Sequence, residues 1–186
     1  MSVATLGHAG PWTIAEVLEF PEDWRYELID GAVVMNPAPS APHQRVSFRC
    51  AAALDRVVPS GFEVLEAVNV RIGSQRLLIP DVAVVSCPGT TEMVIEATQV
   101  ALMVEIISPS STSVDRLLKP SLYAAAGIKN FIRLELNSEG AASAVVYELA
   151  DEVYREVATV KPHGVLRLTK PFGVEIALDA LTLSRS

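Results

Sequence analysis

Val100-Ala101-Leu102-Met103-Val104-Glu105-Ile106-Ile107, closed by Ser108-Pro109, is a continuous apolar run broken by a single charge. Apolar residues without alternation mark a strand buried on both faces, and the proline ends it. The run reads as the central strand of a sheet covered by helices. That points to an α/β (α+β) fold with a mixed sheet. A carboxylate inside such a strand is costly unless a cation or hydrogen-bond donors compensate it. Glu105 is thus a structural ion-pair partner, a strand-end group that reaches water, or a functional carboxylate. The sequence favours the last.

Working outward, Pro80-Asp81 opens a second apolar strand, Val82-Ala83-Val84-Val85. Alone, Asp81 is an ordinary strand-start aspartate. Beside Glu105 on a neighbouring strand it would repel its neighbour and raise one pKa. A hard cation such as Mg²⁺ or Mn²⁺ accepts such oxygen ligands, and the backbone carbonyl of Ile106 is an additional candidate ligand. Glu27 lies on a third strand, where it either adds a third carboxylate or faces solvent. After Pro109 a helix should run to about Ala126, with Gly127 as its C-terminal signal. Lys119 lies on it. A lysine is by default solvated, but near a metal-bound water it can neutralise developing charge. Pro120 is harmless only in a first turn, so the helix either starts near Leu118 or bends at Lys119.

The remaining chain supplies an N-terminal hairpin and further strands. Thr13 and Glu16 have capping-box spacing, and residues 13–20 read as a short helix. Tyr26-Glu27-Leu28-Ile29, the turn signal Asp30-Gly31, and Ala32-Val33-Val34-Met35 make a hairpin. Asn36-Pro37-Ala38-Pro39-Ser40-Ala41-Pro42 is a stiff loop. Residues 42–58 carry Val46, Cys50, Ala53, Leu54 and Val57 at helical spacing, with Arg45, Arg49 and Arg56 on another face. His43 falls in the first turn, where it could meet phosphate or move a proton. Residues 62–72, 81–85, 130–136, 144–149, 153–160 and 174–178 are strand-like, and 137–140 a turn. The expectation is a single domain over residues 1–186.

Composition narrows the function. The chain has 186 residues, 50% hydrophobic and 20% charged, as folded globular proteins do. Its net charge of −7 argues against a protein that coats nucleic acid. It does not exclude a local basic grip on a short stretch of backbone. The two cysteines, Cys50 and Cys87, are too few for structural zinc and read as reduced thiols. The first residues lack a signal-peptide pattern, and no apolar run approaches membrane-helix length. A cytoplasmic protein without membrane contact is expected. Phosphate-binding glycine loops, the nucleophile elbow and the HExxH motif are all absent.

Taken together, several segments resemble a known family. They are Tyr26-Glu27-Leu28-Ile29-Asp30-Gly31, Asn36-Pro37-Ala38-Pro39-Ser40 with His43, Pro80-Asp81-Val82-Ala83-Val84, and Val104-Glu105-Ile106-Ile107-Ser108-Pro109-Ser110. Asp115, Lys119, Tyr123 and Gly127 follow. In order and spacing they resemble the Uma-two restriction-endonuclease family of the PD-(D/E)XK nuclease-like superfamily, over about residues 13–181. The resemblance implies a restriction-endonuclease-like core. It also implies that Asp81 and Glu105 are the metal-binding acids. The superfamily's lysine position is filled here by Ile107, and Lys119 on the next helix matches its replacement. Glu27 matches a family glutamate near the site, and Tyr123 fits the pattern with a packing role.

The function this implies is Mg²⁺- or Mn²⁺-dependent cleavage of DNA, with His43, Arg45 and Arg49 toward phosphate. A homodimer would suit cutting of both strands. The alternative is a nuclease-fold module that binds or regulates without catalysis. The position of the Lys119 ammonium relative to the carboxylates separates the two.

Overall fold

The computed structural model describes residues 2–3, 8, 10–21, 25–108 and 114–182. Fourteen strands, four short-to-medium α-helices and two irregular turns make up these residues. The strands are β1 (Ser2–Val3), β2 (Arg25–Ile29), β3 (Ala32–Asn36), β4 (Glu63–Glu66), β5 (Asn69–Arg71), β6 (Arg76–Leu78) and β7 (Val82–Val85). They continue with β8 (Val94–Glu96), β9 (Val100–Ile107), β10 (Asn130–Leu136), β11 (Ala142–Ala150), β12 (Val153–Val160), β13 (Val165–Leu168) and β14 (Val174–Ala177). The helices are α1 (Ile14–Leu18), α2 (Ala41–Asp55), α3 (Lys119–Ala125) and α4 (Leu178–Leu181).

The central sheet has the order β12-β11-β10-β9-β7-β4. The apolar run that opened the reading is β9, held between β7 (antiparallel) and β10 (parallel). Joining two parallel neighbours needs a crossover, and α3 is its helix. Even-numbered β9 residues Leu102, Val104 and Ile106 pack with Val46, Cys50 and Leu54 of α2 and with Leu166 and Ile176 of the β13-β14 hairpin. Odd-numbered Met103 faces Leu122 and Tyr123 of α3 and Phe131 of β10. Both faces of β9 are therefore covered, and Glu105 stands on the α3 side. Cys50 lies in the first of these cores, where burial pushes its thiol up to about 12.

A second sheet, β1-β3-β2-β6-β5-β8, contains the hairpin with Glu27. Its presence corrects the expected single strand over 62–72. Ala67, with φ of 53°, turns the chain between β4 and β5, and the two halves join different sheets. Three short strands, β6, β8 and β13, have only three or four residues each, too few to show a period. The turn Val114–Leu118 leads directly into α3, which begins at Lys119 with Pro120 in its first turn. The stretch 114–118 is a π-helical turn that runs into α3 without a break, so Pro120 falls just past the junction of the two. Gly127, with φ of 77°, follows the end of α3 and Ile128 N–H bonds back to the Tyr123 carbonyl. The part of the expected helix over 109–113 lies outside the described residues.

The hairpin turn has positive φ at both Asp30 (49°) and Gly31 (81°), as a two-residue turn of the primed type requires. A Cβ on Gly31 would sit 2.4 Å from Cβ of Pro11. Gly31→Ala should therefore cost more than the about 1–2 kcal/mol of a left-handed backbone alone. Urea unfolding of the variant against the wild type measures it, and equal midpoints would refute the account.

Candidate active site

The β7–β9 register runs Val84↔Leu102, Ala83↔Met103 and Val82↔Val104. One step further, Asp81 stands opposite Glu105. Asp81 Oδ2 accepts the Ile106 N–H at 2.7 Å, continuing the ladder through a side chain. N–H and C=O of one strand residue point to the same edge, so the Ile106 carbonyl also faces Asp81. The Asp81 carbonyl accepts from Ala67 N–H at 3.2 Å. His43, in the first turn of α2, brings Nε2 to 3.3 Å from Asp81 Oδ2. Its Nδ1 is buried without a hydrogen-bond partner.

Glu27 comes from the second sheet. Its Oε1 accepts the Ile79 N–H at 2.8 Å and its Oε2 accepts from Asn36 Nδ2 at 2.7 Å. Lys119 Nζ lies 2.9 Å from Glu27 Oε1 and 3.6 Å from Glu105 Oε1. The hydroxyl of Tyr123, one turn along α3, donates to Glu105 Oε1. Glu27, Asp81, Glu105 and Lys119 are all buried, at 1%, 9%, 3% and 4% exposure. Three buried carboxylates and one ammonium thus share one locus where the two sheets and α3 meet.

Electrostatics follow from that count. Burial is the largest influence on Glu105 and pushes its carboxyl up to about 8. Lys119 pulls it down, while Asp81 and Glu27 push it further up. Tyr123, buried beside these carboxylates, has its hydroxyl held well above the usual range, chiefly by burial and then by Glu105. Tyr123 is a proton donor to Glu105 at any ordinary pH.

A cavity of about 320 Å³ opens beside Asp81, lined by Arg25, Pro39, His43, Gln44, Ser47 and Glu66. The positions expected from the sequence separate here. Glu27, Asp81, Glu105, Lys119, His43 and the Ile106 backbone come together. Arg45 and Arg49 do not join them. Arg45 lines a different cavity with Glu139, His163 and Asp179. Arg49 donates to the carbonyls of Ala180 and Thr182 and so closes the end of α4. Tyr123 packs 5.9 Å from Phe131, as expected, but also carries the hydrogen bond to Glu105. Asn36 was not singled out. The hairpin register signals it, since Glu27 pairs with Val34 and Asn36 lies two residues on, diagonal to Glu27 on the same face.

The fit of a cation rests on the donors. Among the described residues no three or more His, Cys, Asp or Glu side chains are arranged to hold a metal ion. Two carboxylates and one carbonyl, all hard oxygens, are the donor set. Mg²⁺ is commonly held this way, by one or two carboxylates with water and substrate oxygens completing the shell.

A family model described as "Uma2: Putative restriction endonuclease" matches residues 14–182. The chain belongs to the Uma2 family. A crystal structure of a putative nuclease of the DUF820 group from Anabaena variabilis resembles this Uma2 chain with a TM-score of 0.71 and 16% identity. The match covers 92% of this chain and 97% of that one, and at this identity it shows the shared fold. The chain matches no curated protein. Among the described residues no helix is long and apolar enough to cross a membrane.

The raised pKa makes a stability prediction. The native Glu105 carboxyl keeps its proton up to about pH 8, whereas the unfolded chain loses it near 4.5. Between these values the native state binds more protons, so this group's contribution falls as pH rises and levels off above about 8. Glu105→Gln should gain on the wild type across that window in metal-free urea unfolding. A difference that stays constant with pH would show that Glu105 is not the titrating group.

Proposed function

We propose that this Uma2 protein is a metal-dependent endonuclease that hydrolyses phosphodiester bonds of DNA. One observation carries the reading. The Lys119 ammonium reaches Glu105, which stands opposite Asp81 across neighbouring strands. A lysine on a crossover helix thereby meets the acid pair that the family pattern requires.

Asp81 and Glu105, with the Ile106 carbonyl, would hold Mg²⁺ or Mn²⁺. Such an ion, when bound, lowers the pKa of its water and stabilises charge on the phosphoryl oxygens. The protein's own groups prepare the place. The Ile106 N–H and His43 fix Asp81. Tyr123 and Lys119 fix Glu105 and keep its second oxygen, Oε2, clear of their own contacts. Glu27 draws the ammonium to the site and is itself anchored by Asn36 and Ile79. Lys119 then supplies positive charge where the attacked phosphate gains negative charge. His43 faces the cavity beside Asp81 and is the candidate contact to substrate. A homodimer would pair two such sites for a duplex.

Incubation of single- and double-stranded DNA with Mn²⁺ tests the reading. The wild type should cut, and Glu105→Gln should lose more than about 100-fold in rate, since even groups one step removed from a metal cost 10–100-fold. No cutting by the folded wild type would favour a binding or regulatory module instead. Equal cutting by both would place the activity elsewhere.

Tyr123→Phe separates positioning from packing. Removing its hydrogen bond should lower the rate roughly 10–100-fold. Because that bond lowers the Glu105 pKa, the alkaline shift of the pH–rate profile should accompany the loss. A loss without a shift would mean that Tyr123 only packs.

A further inference from the structure

The carboxylate site leaves a question of charge. Among the described residues Lys119 is the one lysine or arginine ion-paired with Glu27 and Glu105, Arg25 lines the cavity beside Asp81, and a divalent ion would bring the three carboxylates and Lys119 to about neutrality. A strand of phosphodiesters therefore needs further positive charge nearby, on a chain whose net charge is −7. Arg45 and Arg49, the residues first expected there, stand elsewhere.

The sheet register points to another place. β9 and β10 are parallel, with Arg133 in register with Glu105 and Glu135 with Ile107. Residues in register on neighbouring strands share a face, and neighbouring strands lie about 4.8 Å apart. Asp81, Glu105 and Arg133 thus form a row across β7, β9 and β10. Arg133 is the next side chain after the acid pair.

Arg133 does not stand alone. Its Nε lies 2.7 Å from Glu135 Oε1, and Arg116 Nη1 approaches the same oxygen at 3.6 Å. Arg116 belongs to the turn that leads into Lys119. Two guanidiniums therefore share the Glu135 carboxylate, with Glu156 across from Tyr147 as the other acid of this surface. Other arginine pairs among the described residues have a carboxylate each: Arg71 with Glu96, Arg76 with Asp30, Arg155 with Asp151, and Arg167 with Glu175. The Arg133 guanidinium lies over the Tyr147 ring, 5.5 Å from its centroid, which limits its freedom. Both arginines remain partly exposed, at 24% and 40% of their side-chain surface.

We propose that Arg133 and Arg116, joined through Glu135, dock a backbone phosphate of the DNA strand next to the phosphate being cut. The inference rests on the nuclease reading of the carboxylate site and gives the strand its direction, across the sheet from β7 toward β10. Guanidinium forks suit phosphate oxygens, which they can grip through two parallel hydrogen bonds.

Anisotropy of a fluorescent DNA oligonucleotide, titrated with protein in Ca²⁺ at several salt concentrations, tests this, with strand integrity checked on a gel. Arg133→Gln and Arg116→Gln should each weaken binding roughly tenfold, the scale of one charged hydrogen bond. Each should also reduce the slope of log K against log salt by about 1. Arg133→Lys should keep the slope, and Arg155→Gln should bind as the wild type does. Arg116, on the surface, keeps the test open if Arg133→Gln loosens the fold. Unchanged binding in both variants, or no binding by the wild type, overturns the docking site. The nuclease reading is judged apart, by Mn²⁺ cleavage. Cutting by the wild type with unaltered binding in the arginine variants removes the docking site alone. Binding that depends on these arginines, without cutting, removes the nuclease reading alone.

Discussion

A buried ammonium placed between two buried carboxylates imposes more on this fold than any apolar contact does. Lys119 meets Glu27 from one sheet and Glu105 from the other. Each of these charges would be costly if left alone. Together they require that the hairpin, the central strand and α3 arrive at one point. Lys119 without Glu27, or Glu27 without Lys119, would leave a buried charge uncompensated, so the hairpin and α3 constrain each other's packing. The hydrogen bonds of Asn36, Ile79 and Tyr123 belong to the same constraint, since they occupy the lone pairs that the ammonium does not reach.

The compensation is incomplete, and this separates the locus from an ordinary structural ion pair. Three carboxylates stand against one lysine and a histidine. Burial first, then the neighbouring Asp81 and Glu27, raise the Glu105 carboxyl to about 8 despite Lys119. A purely structural network would be expected to satisfy itself, because half-satisfied buried charge is worse than an apolar core. Surplus negative charge held on hard oxygen donors favours a divalent cation, and binding one would release the Glu105 proton. The structural and functional readings of Glu105 are therefore not rivals. In the proposed nuclease reading, the lysine that makes its burial tolerable would also supply positive charge to the attacked phosphate.

Much of this was legible before any coordinates. The unbroken run 100–107 announced a doubly buried strand, and the charge inside it announced a partner. Asp30-Gly31 gave the hairpin, and hence the face on which Glu27 and Asn36 meet. Pro120 left a start near Leu118 or a bend at Lys119, and the structure has a π-helical turn over 114–118 that passes into α3 at Lys119. What was not legible depended on contacts between elements distant in sequence. The split of 62–72 into two sheets turns on the left-handed backbone at Ala67, a residue type that gives no warning of it. The helical face of Arg45 and Arg49 was readable, but not that α4 and the β13-β14 hairpin would lie against it. Arg133 fell within 130–136, which read only as a strand. Only the β9–β10 register sets it beside Glu105.

The register also explains why the lysine comes from a helix. Ile107, the position that the sequence resemblance implied for a lysine, is fully buried. It shares a face with Glu105, but β9 is enclosed between β7 and β10, and a charge at 107 would need burial of its own. The parallel β9–β10 pair requires a crossover, and that crossover must pass over this same face. Its helix therefore delivers the buried Lys119 side chain from above, onto the Glu27 and Glu105 carboxylates. The topology that encloses β9 also provides the element from which the displaced lysine can act.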